Sequence, residues 1–141
     1  GVCARPLAWG RILGEYCGVE RRDAGLRDAI GQIRALKEEF WRDARITGQA
    51  DELNQALEKA GRLLDFFELA ELMCIDALHR RESCGGHFRA ESQTPEGEAL
   101  RHDDKFLYVA AWEFAGEGEP PILHKEDLIY NDIELKQRSY K

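Results

Sequence analysis

From Leu53 to Leu78 the apolar residues recur at steps of mostly three and four: Leu53, Leu57, Ala60, Leu64, Phe67, Ala70, Cys74 and Leu78, with Leu63 and Leu72 widening the stripe. Such spacing returns a side chain to the same face on every turn and predicts one long amphipathic helix over residues 51–82. Asp51 and Glu52 would sit in its first turn, where the helix dipole favours negative charge. At 1.5 Å per residue the helix would run about 48 Å, longer than the helix before it. Its C-terminal third is therefore expected to bury its apolar side elsewhere. Phe66, Leu69, Met73, Ile75 and Ala77 give it a second apolar side, as in a helix sandwiched between neighbours.

Two helices are predicted upstream. Leu7, Trp9, Ile12, Leu13 and Tyr16 suit a short helix stopped near Gly18. Asp23 is a good N-cap for the next, which runs over residues 24–46 with Leu26, Ile30, Ile33, Phe40 and Ala44 on one stripe and Leu36 and Trp41 beside it. Its opposite face carries Arg34, Lys37, Glu38 and Arg42. Downstream, Gly85-Gly86 is expected to end the long helix. Residues 90–105 are polar and read as a loop. The β-formers of residues 106–114 predict a strand, and residues 122–125 its hairpin partner across a Gly/Pro turn. Residues 129–135 suggest a further extended segment. The pattern gives a mainly α fold, a helical bundle over residues 1–89 followed by a loop and strand extension over residues 90–141.

Composition narrows the function classes. A chain of 141 residues that is 43% hydrophobic and 33% charged is that of a globular domain, large enough for a core without staples. Its net charge of −7 argues against a nucleic-acid surface or direct adhesion to anionic lipid. The longest apolar run, near residues 69–78, is broken by Glu71 and Asp76, too short for a membrane span. The N-terminal stretch lacks the layout of a signal peptide. A Gly1-Val2 start just ahead of a helical pattern reads as a domain from a longer chain. Cys3, Cys17, Cys74 and Cys84 contain no CxxC pair and are expected to be reduced thiols.

Little chemistry is written in the residues themselves. Cys74, His79, Cys84 and His87 carry ligand types for zinc, but their spacings of five, five and three lack the short paired pattern of a metal site, and Cys74 falls on the helix seam. A Cys84 thiolate beside His87 would sit at a helix C-terminus, where the dipole opposes it. Arg80, Arg81, His87 and Arg89 gather positive charge able to bind a carboxylate or phosphate, yet ion pairs with Glu82, Glu91 or a neighbouring domain account for them more simply. Gly85-Gly86 follow a helix rather than open one, so they make no phosphate loop. Trp9, Trp41 and Trp112 read as core or interface anchors.

The stretch from Glu68 to Arg89, ELAELMCIDALHRRESCGGHFR, resembles the C-terminal helical domain of the flavoprotein subunit of succinate dehydrogenase and fumarate reductase. That family carries a helix ending in an Arg/Lys-x-Glu-Ser-Arg-Gly-Ala-His-like motif. WGRILGEYCG from Trp9, KEEFWRD from Lys37, TPEGEAL from Thr94, YVAAWE from Tyr108 and LKQRSYK from Leu135 extend the likeness over nearly the whole chain. Ser83-Cys84-Gly85-Gly86-His87 departs from the commoner motif, so any ion pair of the motif arginine is missing; the Cys-Gly-Gly form resembles the bacterial branch with a single di-haem membrane anchor.

The resemblance implies a three-helix, spectrin-repeat-like bundle followed by a small β-hairpin. It also implies that FAD and the catalytic residues lie in domains upstream, so no catalytic, cofactor or metal residue is assigned here. The complete enzyme would oxidise succinate to fumarate in respiratory electron transport and the tricarboxylic acid cycle, passing electrons to an iron–sulfur subunit beside a membrane-anchor subunit. It would sit peripherally on the cytoplasmic face of the bacterial inner membrane. Phe66, Met73, His87, Phe88 and Arg89 are the expected domain-interface residues. The competing readings are a stand-alone helical interaction domain and the corresponding domain of an L-aspartate oxidase-like flavoprotein.

Overall fold

The computed structural model describes residues 5–49, 51, 53–137 and 139, with side chains from residue 8 onward. Cys3, Glu52 and the side chain of Leu7 lie outside the described residues, as do Gly1, Val2, Arg138, Tyr140 and Lys141. The elements in order are α1 (Arg5–Tyr16), β1 (Glu20–Arg21), α2 (Asp23–Asp43), α3 (Gln55–His79), β2 (Phe88–Arg89), α4 (Asp103–Phe106), β3 (Tyr108–Glu113) and β4 (Ile122–Asp127). This is a mainly α fold with one antiparallel hairpin near its C-terminal end, as the pattern predicts. The chain divides into two compact units between His79 and Arg80, whereas the sequence reading sets its division after Arg89.

The helical unit is a three-helix bundle. Its core joins Ile12 and Cys17 to Leu26, Ala29, Ile33 and Phe40 of α2 and to Ala60, Leu63, Phe67, Ala70, Cys74 and Ala77 of α3. On α3 the buried positions step by three and four, and small residues at 60, 70, 74 and 77 let the helices approach closely. Large side chains fill the space left between them. Leu26, Ile33, Leu63 and Phe67 are almost wholly enclosed, each contributing roughly 1.5–3 kcal/mol of apolar burial. The Phe40 and Phe67 rings meet edge to face with centroids 6.1 Å apart.

Ion pairs fix the antiparallel register of α2 and α3. Arg34 pairs with Glu71 at 2.7 Å, and Lys37 with Glu68. Together with Phe40 against Phe67, these contacts place the end of α2 near Leu63. The first turns of α3 therefore overrun their partner. That geometry corrects the expected seam: Leu53 precedes the helix and is 92% exposed, and Leu57 is 53% exposed. The corrected overhang lies at the N-terminal end of α3. Its C-terminal third needs no outside cover for its main stripe, since Cys74 and Ala77 are enclosed by the bundle itself.

Helix ends differ from expectation in instructive ways. Asn54 caps α3: its Oδ1 accepts from the N–H groups of Ala56 and Leu57, both at 3.0 Å, a role the sequence reading gives to the charge of residues 51–52. Asp23 is the first residue of α2 rather than its cap, and its carboxylate accepts from Arg27 one turn on at 2.6 Å. Trp41, expected beside the core stripe, is exposed. Gly18 follows α1 where a stop is predicted. A Cβ there would stand 2.7 Å from the Gly14 carbonyl oxygen, so only glycine lets the chain pass.

The C-terminal unit begins at Arg80. Its hairpin pairs Tyr108 with Asp127 through Glu113 with Ile122. Lys125 lies 4.3 Å from the centroid of the diagonal Tyr108 ring, and His124 meets Glu113 at 2.5 Å. The first strand is shorter than the pattern suggests, because Asp103–Phe106 form the single turn of α4. The second runs two residues further. No strand forms over residues 129–135, where Ile129 and Ile133 are exposed.

Candidate functional site

The motif Arg80–Arg89 folds into a polar knot, not a helix end. Helix α3 stops at His79, and Gly85-Gly86 form the two central residues of a tight turn. The Cys84 N–H donates to the His87 carbonyl at 2.8 Å and the His87 N–H to the Cys84 carbonyl at 3.1 Å. Gly85 has φ +58° while Gly86 does not enter the positive-φ region, the pattern of a type II′ turn, whose first central residue is glycine. The expected role of this pair as the helix stop is thus corrected: it reverses the chain between two bridged residues.

Buried polar side chains hold that turn. Ser83 is fully enclosed; its Oγ accepts from the Arg89 N–H at 2.8 Å and donates to the Arg89 carbonyl at 3.2 Å. The Ser83 N–H donates to the Leu100 carbonyl at 2.8 Å. Glu82, also buried, accepts from Arg80 Nε at 2.8 Å with one oxygen and from the His102 N–H at 2.9 Å with the other. His87 Nε2 lies 2.7 Å from the Arg80 carbonyl, which assigns the ring proton to that nitrogen. Arg89 is buried and donates to Glu91 at 3.1 Å. Ser92 Oγ donates to the Arg81 carbonyl at 3.2 Å, while Arg101 makes a fork to Asp103 that pushes the guanidinium pKa up.

Electrostatically this is a self-satisfied network. A buried polar group left unpaired costs about 1–3 kcal/mol, and here donors and acceptors meet among residues of the C-terminal unit between Arg80 and Asp103. The ion pairs of Arg80 and Arg89 with Glu82 and Glu91 follow the simpler of the two readings of that basic cluster. Periodicity could not reveal the parts played by Glu82, Ser83, Ser92 and the His102 N–H, because the network joins residues up to twenty apart with no repeating step. A Glu-Ser pair just past an apolar helix is the one sequence hint it leaves.

The expected interface residues fall into two sets. Phe66 and Met73 lie on α3, 44% and 42% exposed, with the exposed Leu69 between them on the same stripe. Phe66 packs on Trp9 of α1, ring centroids 5.4 Å apart. His87, Phe88 and Arg89 lie in the C-terminal unit: His87 and Arg89 are buried and occupied by the bonds just described, and Phe88 is half-buried. Cys74 sits in the bundle core and Cys84 in the knot. Among the described residues no group of three or more His, Cys, Asp or Glu side chains is arranged to hold a metal ion.

The motif and the bundle together match a known family. A family model described as fumarate reductase flavoprotein C-term covers residues 7–140. The chain belongs to that family. It is the C-terminal domain of a fumarate reductase/succinate dehydrogenase flavoprotein subunit. The domain is 29% identical over 126 residues to a fumarate reductase flavoprotein subunit of Serratia sp. (strain ATCC 39006), which takes in 89% of this chain and 19% of that protein. A solved E. coli quinol fumarate reductase carrying a point mutation superposes with a TM-score of 0.73 at 26% identity, over 92% of this chain and 22% of that one. A quinol–fumarate reductase with menaquinol molecules gives 0.70 at 26% identity, over 89% and 22%. The domain thus spans about a fifth of the length of these relatives. No helix among its described residues is long and apolar enough to cross a membrane.

Flavin is the cofactor such a family implies, and the residues present do not fit it. A bound pyrophosphate needs free N–H groups at a glycine-rich helix N-terminus. Here the Gly85-Gly86 turn follows a helix, and the residues on either side spend their N–H groups on each other. Arg80, Arg89 and His87 are engaged internally.

Proposed function

We propose that this domain is the packing and docking part of an FAD-dependent succinate dehydrogenase/fumarate reductase flavoprotein, and that it has no catalytic residues of its own. FAD and the groups that act on succinate or fumarate belong to the rest of the subunit. The whole enzyme interconverts succinate and fumarate in respiratory electron transport, with an iron–sulfur subunit and a membrane-anchor subunit as partners. It lies peripherally on the cytoplasmic face of the bacterial inner membrane. The observation that carries this reading is the family match over residues 7–140 in a chain whose signature motif is spent on internal hydrogen bonds.

The docking surface of the helical unit is the exposed stripe Phe66, Leu69 and Met73; in the C-terminal unit, taken by itself, Phe88 is the contact, and His87 and Arg89 hold its turn in shape. Apolar side chains left half-open along one helix face suit an interface within a larger protein. The test is the double change Leu69→Glu and Met73→Glu in the full-length subunit. Retained flavin and co-purifying iron–sulfur subunit are expected to fall at least tenfold, while the unfolding midpoint of the domain itself stays close to that of the unaltered protein. Full assembly with unaltered succinate–dye turnover would overturn the assignment of this face.

A further inference from the structure

One polar atom of the helical unit is enclosed without a partner. Trp9 of α1 packs against the bundle core, and its Nε1 is cut off from solvent with no hydrogen bond among the described residues. An enclosed indole N–H ordinarily finds an acceptor, because it gives up its bond to water on burial. Its ring neighbour is Phe66 of α3, with centroids 5.4 Å apart and planes tilted by 38°. Phe66 is 44% exposed and opens the apolar stripe that continues through Leu69 and Met73. The unsatisfied donor thus lies at one end of the half-open face, within a single compact unit.

Building on the docking role proposed above, we propose that Trp9 Nε1 is a hydrogen-bond anchor for the remainder of its own flavoprotein subunit. On docking, a backbone carbonyl of that chain accepts from the indole N–H while apolar side chains beside it cover Phe66, Leu69 and Met73.

The acceptor class follows from the surroundings. Trp9, Phe66, Leu69 and Met73 offer hydrocarbon, one thioether and a single neutral donor. A carboxylate buried there would keep an oxygen unpaired and its charge uncompensated, whereas one N–H suits a peptide carbonyl. The occupant follows from chain length. This domain accounts for 22% of the solved quinol fumarate reductase chain described above, so most of that polypeptide lies outside it and is tethered to it. A tethered segment meets the face at high effective concentration, where a separate subunit must be captured from solution. One side chain has to move. Phe66, the more exposed ring of the pair, turns aside to open the indole edge, a rotamer change of the kind common when interfaces form.

The test is indole NMR of the full-length subunit and of the 141-residue chain, both carrying isotope-labelled tryptophan. The Trp9 signal is the one lost in Trp9→Phe. The expected result is an indole proton that resonates further downfield in the full-length subunit than in the chain alone. It should also exchange with solvent roughly tenfold more slowly there, the weight of one neutral hydrogen bond. Trp9→Phe keeps a ring against Phe66 and removes the donor. The unfolding midpoint of the chain alone should then stay close to the parent's, while amide exchange in α1 of the full-length subunit quickens by roughly tenfold. The same indole shift and exchange rate in both proteins would overturn the proposal, as would a downfield signal already present in the chain alone, the mark of an internal water. So would a lowered midpoint of the chain with unaltered exchange in the subunit, the mark of a merely structural ring. The Leu69→Glu and Met73→Glu subunit separates the two levels. Disrupted assembly there with no Trp9 effect removes this anchor only, and intact assembly removes the docking reading itself.

Discussion

The helical unit and the C-terminal unit are held by different physics. In the first, twelve residues enclose an apolar core and almost every enclosed side chain is a hydrocarbon or a thiol. In the second, the enclosed side chains include Glu82, Ser83, His87, Arg89 and Ser92. Apolar burial is non-directional, so each seam position of the helical unit asks for hydrocarbon of suitable volume rather than for one bonded partner. A buried hydrogen-bond network is directional: each member has one correct partner, and one wrong atom leaves a donor or acceptor unpaired. The contrast assigns stability mainly to the bundle and shape mainly to the knot.

The sharpest way to break that contrast is to attack each unit at its centre. Phe67→Ala removes a fully enclosed ring from between α2 and α3 and is expected to cost about 3–5 kcal/mol in urea or thermal unfolding. Ser83→Ala leaves the Arg89 N–H and carbonyl without their shared hydroxyl, at an expected cost of about 1–3 kcal/mol. Amide exchange separates the two: the first change should speed exchange throughout α2 and α3, the second chiefly at Cys84, His87 and Arg89. Equal exchange patterns would mean that the two units do not differ as described.

Much of the bundle is legible in the sequence because a helical stripe repeats. Ala60, Phe67, Ala70 and Cys74 stand in both the predicted and the observed core, as do Leu26, Ile33 and Phe40. What periodicity cannot supply is register between helices. The pairing of Arg34 with Glu71 and Lys37 with Glu68, with Phe40 against Phe67, shows that α2 ends short of the first turns of α3, which leaves Leu53 and Leu57 in solvent. Of the knot, only the ion pairs of Arg80 with Glu82 and of Arg89 with Glu91 are legible in the sequence. His87 and Arg89, expected at a domain interface with Phe66, Met73 and Phe88, are enclosed by bonds to non-periodic partners. Phe66 and Met73 were readable as a second apolar side of α3, and they stand half-exposed on it.

Smaller effects sharpen the comparison. Asn54→Ala removes the cap of α3 and is expected to cost about 1 kcal/mol, measured as a lowered urea midpoint with unaltered slope. Cys17 supplies a pH signature in the helical unit. Its pKa in the fold, about 7, lies below the thiol's ordinary 9.0, so between these values the folded state releases the proton before the unfolded one does. Its contribution to stability grows as pH rises through that window and is lost as pH falls through 7. Cys74, shifted the other way, removes stability above 9. The groups that set the Cys17 value are Cys74, Arg21 and Asp76. A Cys17→Ala protein should therefore lose ground to the parent between pH 7 and 9, read from urea midpoints across that range. Least of all, Arg34→Ala cuts an exposed inter-helix pair and should cost at most about 1 kcal/mol, shrinking in high salt.

The central claim is that this domain packs and shapes while the chemistry resides elsewhere in the flavoprotein. Flavin content and succinate–dye reductase activity of the purified 141-residue chain, measured beside the full-length subunit, test it most directly. The account predicts no bound flavin and no turnover in the chain alone, with both present in the subunit. Stoichiometric flavin or succinate turnover in the chain alone would contradict it.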